Sequence, residues 1–369
     1  MLTLSEWRRV RSILAPLRYG RRVASSESTD PALSLDRRRA LFVLLGLPVA
    51  LTGCTDSGWM AQGPRAEVSS TLPSTATLTP TGASTASLGP SPQASQAVGS
   101  ELAMADLAGA TLTGRQHREL TAAQRALLAA VRSGHLEHAA ALTNPEPTTR
   151  PTPLPERSPE PGTVAPKKAL ATLIKQERAA AALYAATVHS STGFAALLWG
   201  SMSVAATTYG SALASDKAVP VASPQRRELP ALSEEDAASE LVAQIHALIY
   251  GYQVAIGRLP VLSKARTRAV SELLRSRILR DRLIGILTAR SAKAPVPQAA
   301  YVPAVRVHDA PSAGLLIRRM QSALLPHCGL FLAAAGHATV RTLAFDTLTN
   351  TAAIARSWGA PATPWPGWA

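Results

Sequence analysis

Apolar residues recur every three to four positions through most of the chain after residue 115, which is the spacing of amphipathic helices. The clearest case is the segment from Ser233 to Arg258. Its apolar stripe consists of Leu241, Ile245, Leu248, Ile249, Tyr252 and Ile256. Ser233 is a good N-cap with Asp236 three residues later, and Pro260 follows the end of the segment. This segment is therefore predicted to be a helix.

The same spacing predicts six further helices. They cover residues 115–142, 167–189, 194–213, 263–290, 311–335 and 337–358, and Asp309 is expected to cap the helix that starts at Pro311. Abundant Ala and Leu and an aromatic content of only 4% also favour helices over sheet. The last four helices read as two antiparallel hairpins joined by a longer connection. We therefore predict an all-α protein whose C-terminal part is a four-helix bundle.

Residues 36–54 have a different pattern. Arg37, Arg38 and Arg39 precede an apolar run of 12 residues that ends at Leu51. A transmembrane helix needs about 20 apolar residues, so this run is too short to span a membrane and has the length of a cleaved signal-peptide core.

The four residues that follow this run, Leu51-Thr52-Gly53-Cys54, resemble the lipobox of bacterial lipoproteins. This resemblance implies cleavage behind Gly53 and attachment of diacylglycerol to Cys54, which makes membrane lipid the first expected partner. Arg38 and Leu41 also fit the Arg-Arg-x-Leu pattern of twin-arginine signals, so export by the Sec or the twin-arginine route is open. The expected location is the outer face of the cell membrane.

Two segments of biased composition divide the rest of the chain. Residues 55–100 are mainly Ser, Thr, Ala, Pro and Gly with almost no charge, which predicts a disordered tether. Residues 145–166 hold eight prolines, which predicts a semi-rigid spacer. The predicted organisation is a leader and signal peptide (1–53), a linker (54–105), an isolated helical segment (106–143), a Pro-rich spacer (144–166), an accessory helical pair (167–229) and the bundle domain (230–369).

The chain is basic, with a formal net charge of +14. Arg268, Arg275 and Arg282 recur every seven residues on the predicted helix 263–290 and therefore share one stripe. Such a stripe suits anionic lipid headgroups or acidic wall polymers, although charged helix faces are commonly only solvated. No aromatic residues interleave with these arginines, and an exported protein is not expected to meet nucleic acid.

Few residues suggest catalysis. The chain has two cysteines, Cys54 and Cys328, and no CxxC, G-x-S-x-G, phosphate-binding loop or dinucleotide-binding fingerprint. Cys328 follows His327, but adjacent residues on a helix point in different directions, so a buried structural thiol is predicted. We therefore predict no catalytic residue, no cofactor and no enzyme activity.

One group of possible metal ligands occurs in the helix 115–142. His135 and His138 are i, i+3 neighbours, and Glu137 lies between them. Gly134 weakens the helix here, and no further ligand is nearby in the sequence. The pattern therefore favours a solvated turn over a metal site.

Scattered motifs after residue 236 occur in a recognisable order. They are His246-Ala247 with Tyr250-Gly251, Arg277 with Arg280-Asp281, Tyr301-Val-Pro-Ala, Asp309-x-x-Ser-Ala, Phe345-Asp346-x-Leu348-Thr349, and Arg356-x-Trp358. With these motifs, residues 236–369 resemble a ferritin-like domain of unknown function that is found in actinobacterial lipoproteins. The resemblance implies a ferritin-like four-helix bundle.

This segment departs from the family at the positions expected to hold metal. Relatives commonly carry Glu-His where this chain has Ile245-His246. A ferritin-type di-metal site also needs four Glu, two of them in Glu-x-x-His motifs, whereas this segment has only Glu240 and Glu272. We therefore predict a bundle that has lost its metal ligands, with His246 and Tyr250 as vestiges, and that acts as a binding or structural module of the cell envelope. The alternative is a residual metal-binding protein that uses His246.

Overall fold

A computed structural model describes residues 60–61, 92–114, 117–144, 154, 164–215, 218–222, 226 and 229–368. All of them belong to one structural unit, Asp56–Ala369. The eight α-helices of this described part are α1 (Pro92–Thr113), α2 (Ala122–Thr143), α3 (Pro166–Ser190), α4 (Gly193–Leu213), α5 (Glu234–Ile256), α6 (Lys264–Ala289), α7 (Ala310–Ala334) and α8 (Ala338–Ser357). The prediction of an all-α protein is confirmed.

Short-range signals in the sequence account for the starts of these helices. The side chain of Ser233 accepts a hydrogen bond from the backbone N–H of Asp236 at the start of α5. Ser263 caps α6 in the same way, and Asp309 forms a full capping box with Ser312 at the start of α7. The free N–H groups in the first turn of a helix need such partners. The predicted boundaries of α5 to α8 therefore agree with the structure to within two residues.

The N-terminal half differs from the prediction. Helix α1 begins at Pro92, inside the segment predicted as linker, because Ala94, Ala97, Met104, Ala105 and Ala108 recur at helical spacing and are buried. Helix α1 packs along α2, and α3 packs along α4. The two pairs also contact each other, because α1 touches α3 and α2 touches α4. The predicted isolated segment and accessory pair are therefore parts of one four-helix arrangement, which we call the N-terminal bundle.

Helices α5 to α8 form the C-terminal bundle. Helix α5 packs against α6 and α7, and α7 packs against α8. The two bundles meet where α4 contacts α7 and α8, and this explains why α4 is buried on nearly its whole circumference. The hydrophobic core of the C-terminal bundle is continuous with that of the N-terminal bundle through the side chains of α4.

The last residues of the chain, 360–368, form a tail that packs across both bundles. Trp365 and Trp368 are fully buried, and Ala362 exchanges backbone hydrogen bonds of 2.8 Å with Pro220 and Ala222. The tail passes very close to α7: a Cβ at Gly329 would lie 2.0 Å from the carbonyl oxygen of Gly367. Only glycine fits at position 329, because any side chain there would prevent the tail from packing this close to α7.

Strand β1 (Met60–Ala61) pairs antiparallel with β2 (Val302–Pro303), which lies in the connection between α6 and α7. Of the helices that the structure describes, none combines the length and the apolar character needed to cross a membrane.

Candidate metal centre

Buried polar side chains from three helices of the N-terminal bundle meet in its interior. They are Glu101 on α1, His135 and His138 on α2, and Glu177 on α3, and their exposed fractions are 0%, 0%, 1% and 0%. We call these four residues the Glu–His cluster. Carboxylates are almost never fully buried without partners, so this burial requires an explanation from their contacts.

The geometry of α2 explains how two imidazoles reach the same place. His135 and His138 are three residues apart and therefore lie on one face of the helix. Gly134, in the preceding position, leaves room for Tyr209 of α4, because a Cβ there would lie 2.4 Å from the Tyr209 hydroxyl oxygen. The glycine that weakens the helix in isolation thus allows α4 to pack closely beside the cluster.

Three ligand-type atoms of the Glu–His cluster converge. The Oε2 atom of Glu101 lies 2.7 Å from Nδ1 of His135 and 3.0 Å from Nδ1 of His138. One such atom from each of these three residues lies within 4.8 Å of the others, and no other group of three or more His, Cys, Asp or Glu in the described part of the chain is arranged in this way.

The remaining polar atoms of these three residues are held by neighbours. The Nε2 atom of His135 lies 2.9 Å from Oε1 of Glu177, and Nε2 of His138 lies 2.8 Å from the carbonyl oxygen of Pro364 in the tail. The Tyr184 hydroxyl donates to Oε1 of Glu101 at 2.5 Å. Each imidazole therefore presents Nδ1 to Glu101 while its Nε2 is directed to an acceptor.

Electrostatic interactions in the cluster are strong because its side chains are buried away from bulk solvent. Burial alone would lower the pKa of His135, but the carboxylates of Glu177 and Glu101 outweigh burial and raise this pKa to about 10. Burial alone would raise the pKa of Glu101, but His135 and His138 outweigh it and hold the pKa well below its usual range. Burial raises the pKa of Glu177. The proton on His135 thus compensates buried carboxylate charge.

The hydrogen bonds of His135 and His138 have the pattern found around metal-binding histidines. A metal-ligating histidine usually donates its second ring N–H to a carboxylate or a backbone carbonyl, and Glu177 and Pro364 supply these two acceptors. Two imidazole nitrogens and one carboxylate oxygen form a donor set typical of Zn²⁺ and of non-haem Fe²⁺. The Oε2 atom of Glu177 is buried and has no hydrogen-bond donor among the described residues. The residues present therefore fit a divalent transition-metal ion.

The sequence-based prediction of a solvated turn at His135 and His138 was wrong. Both residues lie on a regular helix, and their partners Glu101 and Glu177 come from 34 and 42 residues away. A signal for both acids was present in the sequence. Glu101 and Glu177 each occupy the apolar stripe of their helix, where a carboxylate needs a buried partner.

The two residues predicted as vestiges of a metal site lie in the C-terminal bundle. The Nε2–H of His246 donates to the carbonyl oxygen of Pro295 at 3.2 Å, and burial lowers the pKa of His246. Tyr250 packs against Tyr301, with ring centroids 5.5 Å apart. Ile245, the residue before His246, is fully buried core.

The predicted arginine stripe on α6 is divided in the structure. The Arg268 guanidinium lies over the Trp358 ring, 3.8 Å from its centroid, and donates to the Ser357 carbonyl oxygen at 3.0 Å. Arg275 and Arg282 instead line a cleft. Among the described residues, Arg268 therefore has close contacts with Trp358 and Ser357 that neither Arg275 nor Arg282 makes.

Cys328 is fully buried, as predicted. Its thiol donates to the Thr351 hydroxyl oxygen at 3.6 Å, and burial raises its pKa to about 12, so it is a poor nucleophile. The predicted signal and attachment residues lie outside the described residues. They are Arg37, Arg38, Arg39, Leu51, Gly53 and Cys54.

Comparison with known proteins adds a partial assignment. Residues 237–369 match a family described as "Domain of unknown function (DUF4439)", and this match covers the C-terminal bundle and the tail. No curated protein matches the chain. A solved structure, the crystal structure of the conserved hypothetical protein Rv2844 from Mycobacterium tuberculosis, is 29% identical over 34% of this chain and 93% of that chain. Its TM-score of 0.33 is too low to support a structural argument.

Proposed function

We propose that this protein is an exported, lipid-anchored protein of the cell envelope that binds one divalent transition-metal ion in its N-terminal bundle. The observation that carries the metal proposal is the convergence of Glu101 Oε2 on the Nδ1 atoms of His135 and His138, at 2.7 and 3.0 Å. The anchor rests on the basic and apolar pattern of residues 36–54, which ends in Leu51-Thr52-Gly53-Cys54.

The donor set favours some metal ions over others. Imidazole nitrogens suit Zn²⁺ and Fe²⁺, whereas Mg²⁺ and Ca²⁺ prefer a full set of oxygen ligands. The charges also agree with this choice. A dication beside Glu101 and Glu177 gives no net charge when both imidazoles are neutral, so the metal ion would replace protons that the cluster otherwise holds.

The proposal is for binding rather than catalysis. Glu101, His135 and His138 are at most 1% exposed, so a substrate cannot reach a metal ion held between them. In this proposal the C-terminal bundle is a ferritin-like domain of the type found in actinobacterial lipoproteins, which has lost its own metal ligands and serves as a binding module. The alternative is a residual site at His246, but this residue already donates to Pro295 and has no carboxylate partner within hydrogen-bonding distance among the described residues.

The test is metal binding by single-residue variants of the full chain. Wild-type protein should bind about one equivalent of Zn²⁺ in competition with a chromogenic chelator. We expect His135→Gln and His138→Gln each to weaken Zn²⁺ binding at least 100-fold. His246→Gln is the matched control and should leave binding unchanged, and circular dichroism of each variant checks that the helices persist.

Two results would refute the metal proposal. One is a wild-type protein that binds no Zn²⁺, Co²⁺ or Fe²⁺ above the level of the doubly substituted chain His135→Gln/His138→Gln. The other is loss of binding in His246→Gln with no effect of the cluster variants, which would transfer the site to the C-terminal bundle.

A further inference from the structure

The C-terminal bundle contains a cleft that the metal proposal does not use. Helix α5 packs against α6 and α7, and α7 packs against α8, so α6 and α8 form opposite walls of an opening of about 390 Å³. Its floor comes from α5 and α7 and includes Leu248 and Leu324. A volume of this size is within the usual range for small-molecule sites.

One atom of a buried amide on the floor of the cleft, Oε1 of Gln321, has no hydrogen-bond donor among the described residues. Gln321 is 2% exposed, and its Nε2 donates to the Tyr252 hydroxyl oxygen at 2.7 Å. Tyr252 in turn donates to Glu272 at 2.9 Å, and this chain of hydrogen bonds fixes the orientation of the Gln321 amide. The Oε1 atom of Gln321 is therefore left as an acceptor, and no donor meets it among the described residues. A buried acceptor of this kind is normally satisfied by a ligand or a water molecule.

Two arginines stand at the mouth of the cleft. Arg275 and Arg282 are exposed and lie two helical turns apart on α6. Neither forms a close ion pair in the described part of the chain, although the charge of Arg275 acts on the Glu272 carboxyl from a longer distance. By contrast, Arg280 of α6 pairs with Asp281 at 2.7 Å, and Arg290, which directly follows α6, pairs with Glu234 and Glu235. Free guanidinium groups suit a phosphate in paired geometry.

The opposite wall carries groups that interact with hydroxyls. Asp346 and Asn350 of α8 are exposed and line the cleft across from the arginines. Asp346 is a carboxylate and would repel a bare anion, but it accepts hydrogen bonds from hydroxyl groups, as Gln321 Oε1 does. The cleft thus combines two phosphate-binding groups with two acceptors for hydroxyl donors.

We propose that this cleft binds a phosphorylated polyol, with the phosphate at Arg275 and Arg282 and the hydroxyl groups at Asp346 and Gln321. A polyol phosphate could be presented by a lipid headgroup or by a soluble or polymeric molecule, and the chemistry recognised is the same. This site goes beyond the proposed metal binding and does not depend on it.

The test uses the full chain with the substitution Cys54→Ala, so that no attached lipid competes for the cleft. Isothermal titration calorimetry with glycerol 3-phosphate should give saturable binding to one site, at least tenfold tighter than with inorganic phosphate. The double variant Arg275→Gln/Arg282→Gln should lose at least tenfold in affinity. Arg277→Gln removes a charge from the same helix outside the cleft and should bind as the parent does.

Gln321→Met tests the floor acceptor with little change in side-chain volume. We expect its affinity for glycerol 3-phosphate to fall toward that for inorganic phosphate, while its affinity for inorganic phosphate stays as in the parent. Equal binding of glycerol 3-phosphate and inorganic phosphate by the parent would overturn the proposal, as would binding that ignores both Arg275 and Arg282.

The source of the polyol phosphate is tested with vesicles. Phosphatidylglycerol vesicles that bind the protein and release it on addition of glycerol 3-phosphate would identify a lipid headgroup. Vesicles that do not bind a protein competent for glycerol 3-phosphate would identify a soluble or polymeric source. Vesicle binding that survives Arg275→Gln/Arg282→Gln and is not displaced would count against the cleft.

Discussion

The Nε2–H of His138 donates to the carbonyl oxygen of Pro364 at 2.8 Å, which joins the Glu–His cluster of the N-terminal bundle to the last six residues of the chain. The next residue, Trp365, packs edge-on against the His138 ring with centroids 4.8 Å apart. The tail of the C-terminal bundle therefore forms one wall of the cluster. Substitutions in the tail should change the stability and the metal affinity of the N-terminal bundle.

Trp365→Ala should weaken both the fold and the metal site. Removal of a fully buried Trp costs about 3–5 kcal/mol of unfolding free energy, measured with urea. It also removes the ring that holds His138, so Zn²⁺ affinity should fall roughly 10–100-fold. Trp368→Ala is the control, because Trp368 is equally buried but has no ring contact with His138. A similar loss of affinity in both variants would contradict a specific role for Trp365.

Glu177→Gln should weaken metal binding while the helices persist. The carboxylate accepts from Nε2 of His135 and fixes that ring, and loss of such a partner typically costs roughly 10–100-fold in metal affinity. Glu137→Gln is the matched control, since Glu137 lies on α2 between the two histidines but is only half-buried and is not part of the cluster. If the two variants bind Zn²⁺ equally well, Glu177 does not orient His135.

Gly134→Ala should destabilise the N-terminal bundle. Alanine favours a helix over glycine by about 1 kcal/mol, but its Cβ would lie 2.4 Å from the Tyr209 hydroxyl oxygen, and such overpacking costs about 1–3 kcal/mol. The double variant Gly134→Ala/Tyr209→Phe removes that oxygen, so it should recover most of the loss. Urea unfolding of the wild type, the two single variants and the double variant measures the coupling free energy between positions 134 and 209. If the two single effects simply add in the double variant, the Tyr209 hydroxyl does not limit the space at position 134.

Helix starts were predictable from the sequence, whereas the Glu–His cluster was not. Ser233, Ser263 and Asp309 act on backbone groups within three residues, so local pattern reveals them. The environment of His135 is set by its hydrogen bonds with Glu101 and Glu177, which lie 34 and 42 residues away. Only the folded chain brings these groups together. Sequence alone could have indicated that a carboxylate on an apolar stripe needs a partner, but not which partner.

Stability of the C-terminal bundle should depend on pH through Glu272. Burial raises the pKa of this carboxyl, although hydrogen bonds from Trp358 and Tyr252 act in the opposite direction. In the window that starts at the ordinary pKa of 4.5 and extends upward to the raised value, the folded chain holds more protons than the unfolded chain. The contribution of Glu272 to the unfolding free energy therefore decreases as pH rises through this window.

The measurement for Glu272 is urea unfolding of the wild type and of Glu272→Gln between pH 4 and pH 7. The stability of the variant relative to the wild type should increase as pH rises. Glu119→Gln serves as the control, because Glu119 is exposed and its substitution removes the same charge outside the C-terminal bundle. A difference between wild type and Glu272→Gln that stays constant with pH would mean that Glu272 titrates normally.

Cys54→Ala tests the anchor. Burial of an acyl chain stabilises membrane association by about 0.8 kcal/mol per CH₂, and two chains hold a protein firmly. We expect the variant either to be released from membranes or to remain as uncleaved precursor, as judged by detergent-phase partition and by mass. Protein of mature length in the detergent phase would exclude Cys54 as the attachment site.

The order of residues in the chain also has a consequence for biosynthesis. Helix α4, the last helix of the N-terminal bundle, ends at Leu213, and about 150 further residues precede Pro364 and Trp365. At about 5–20 residues per second, a ribosome needs roughly 8–30 s to add them. During this interval the nascent chain has both histidines and both acids but lacks the wall that closes over His138. If the protein takes the twin-arginine route and folds before export, a metal ion can enter the open cluster during this interval, before the tail covers His138.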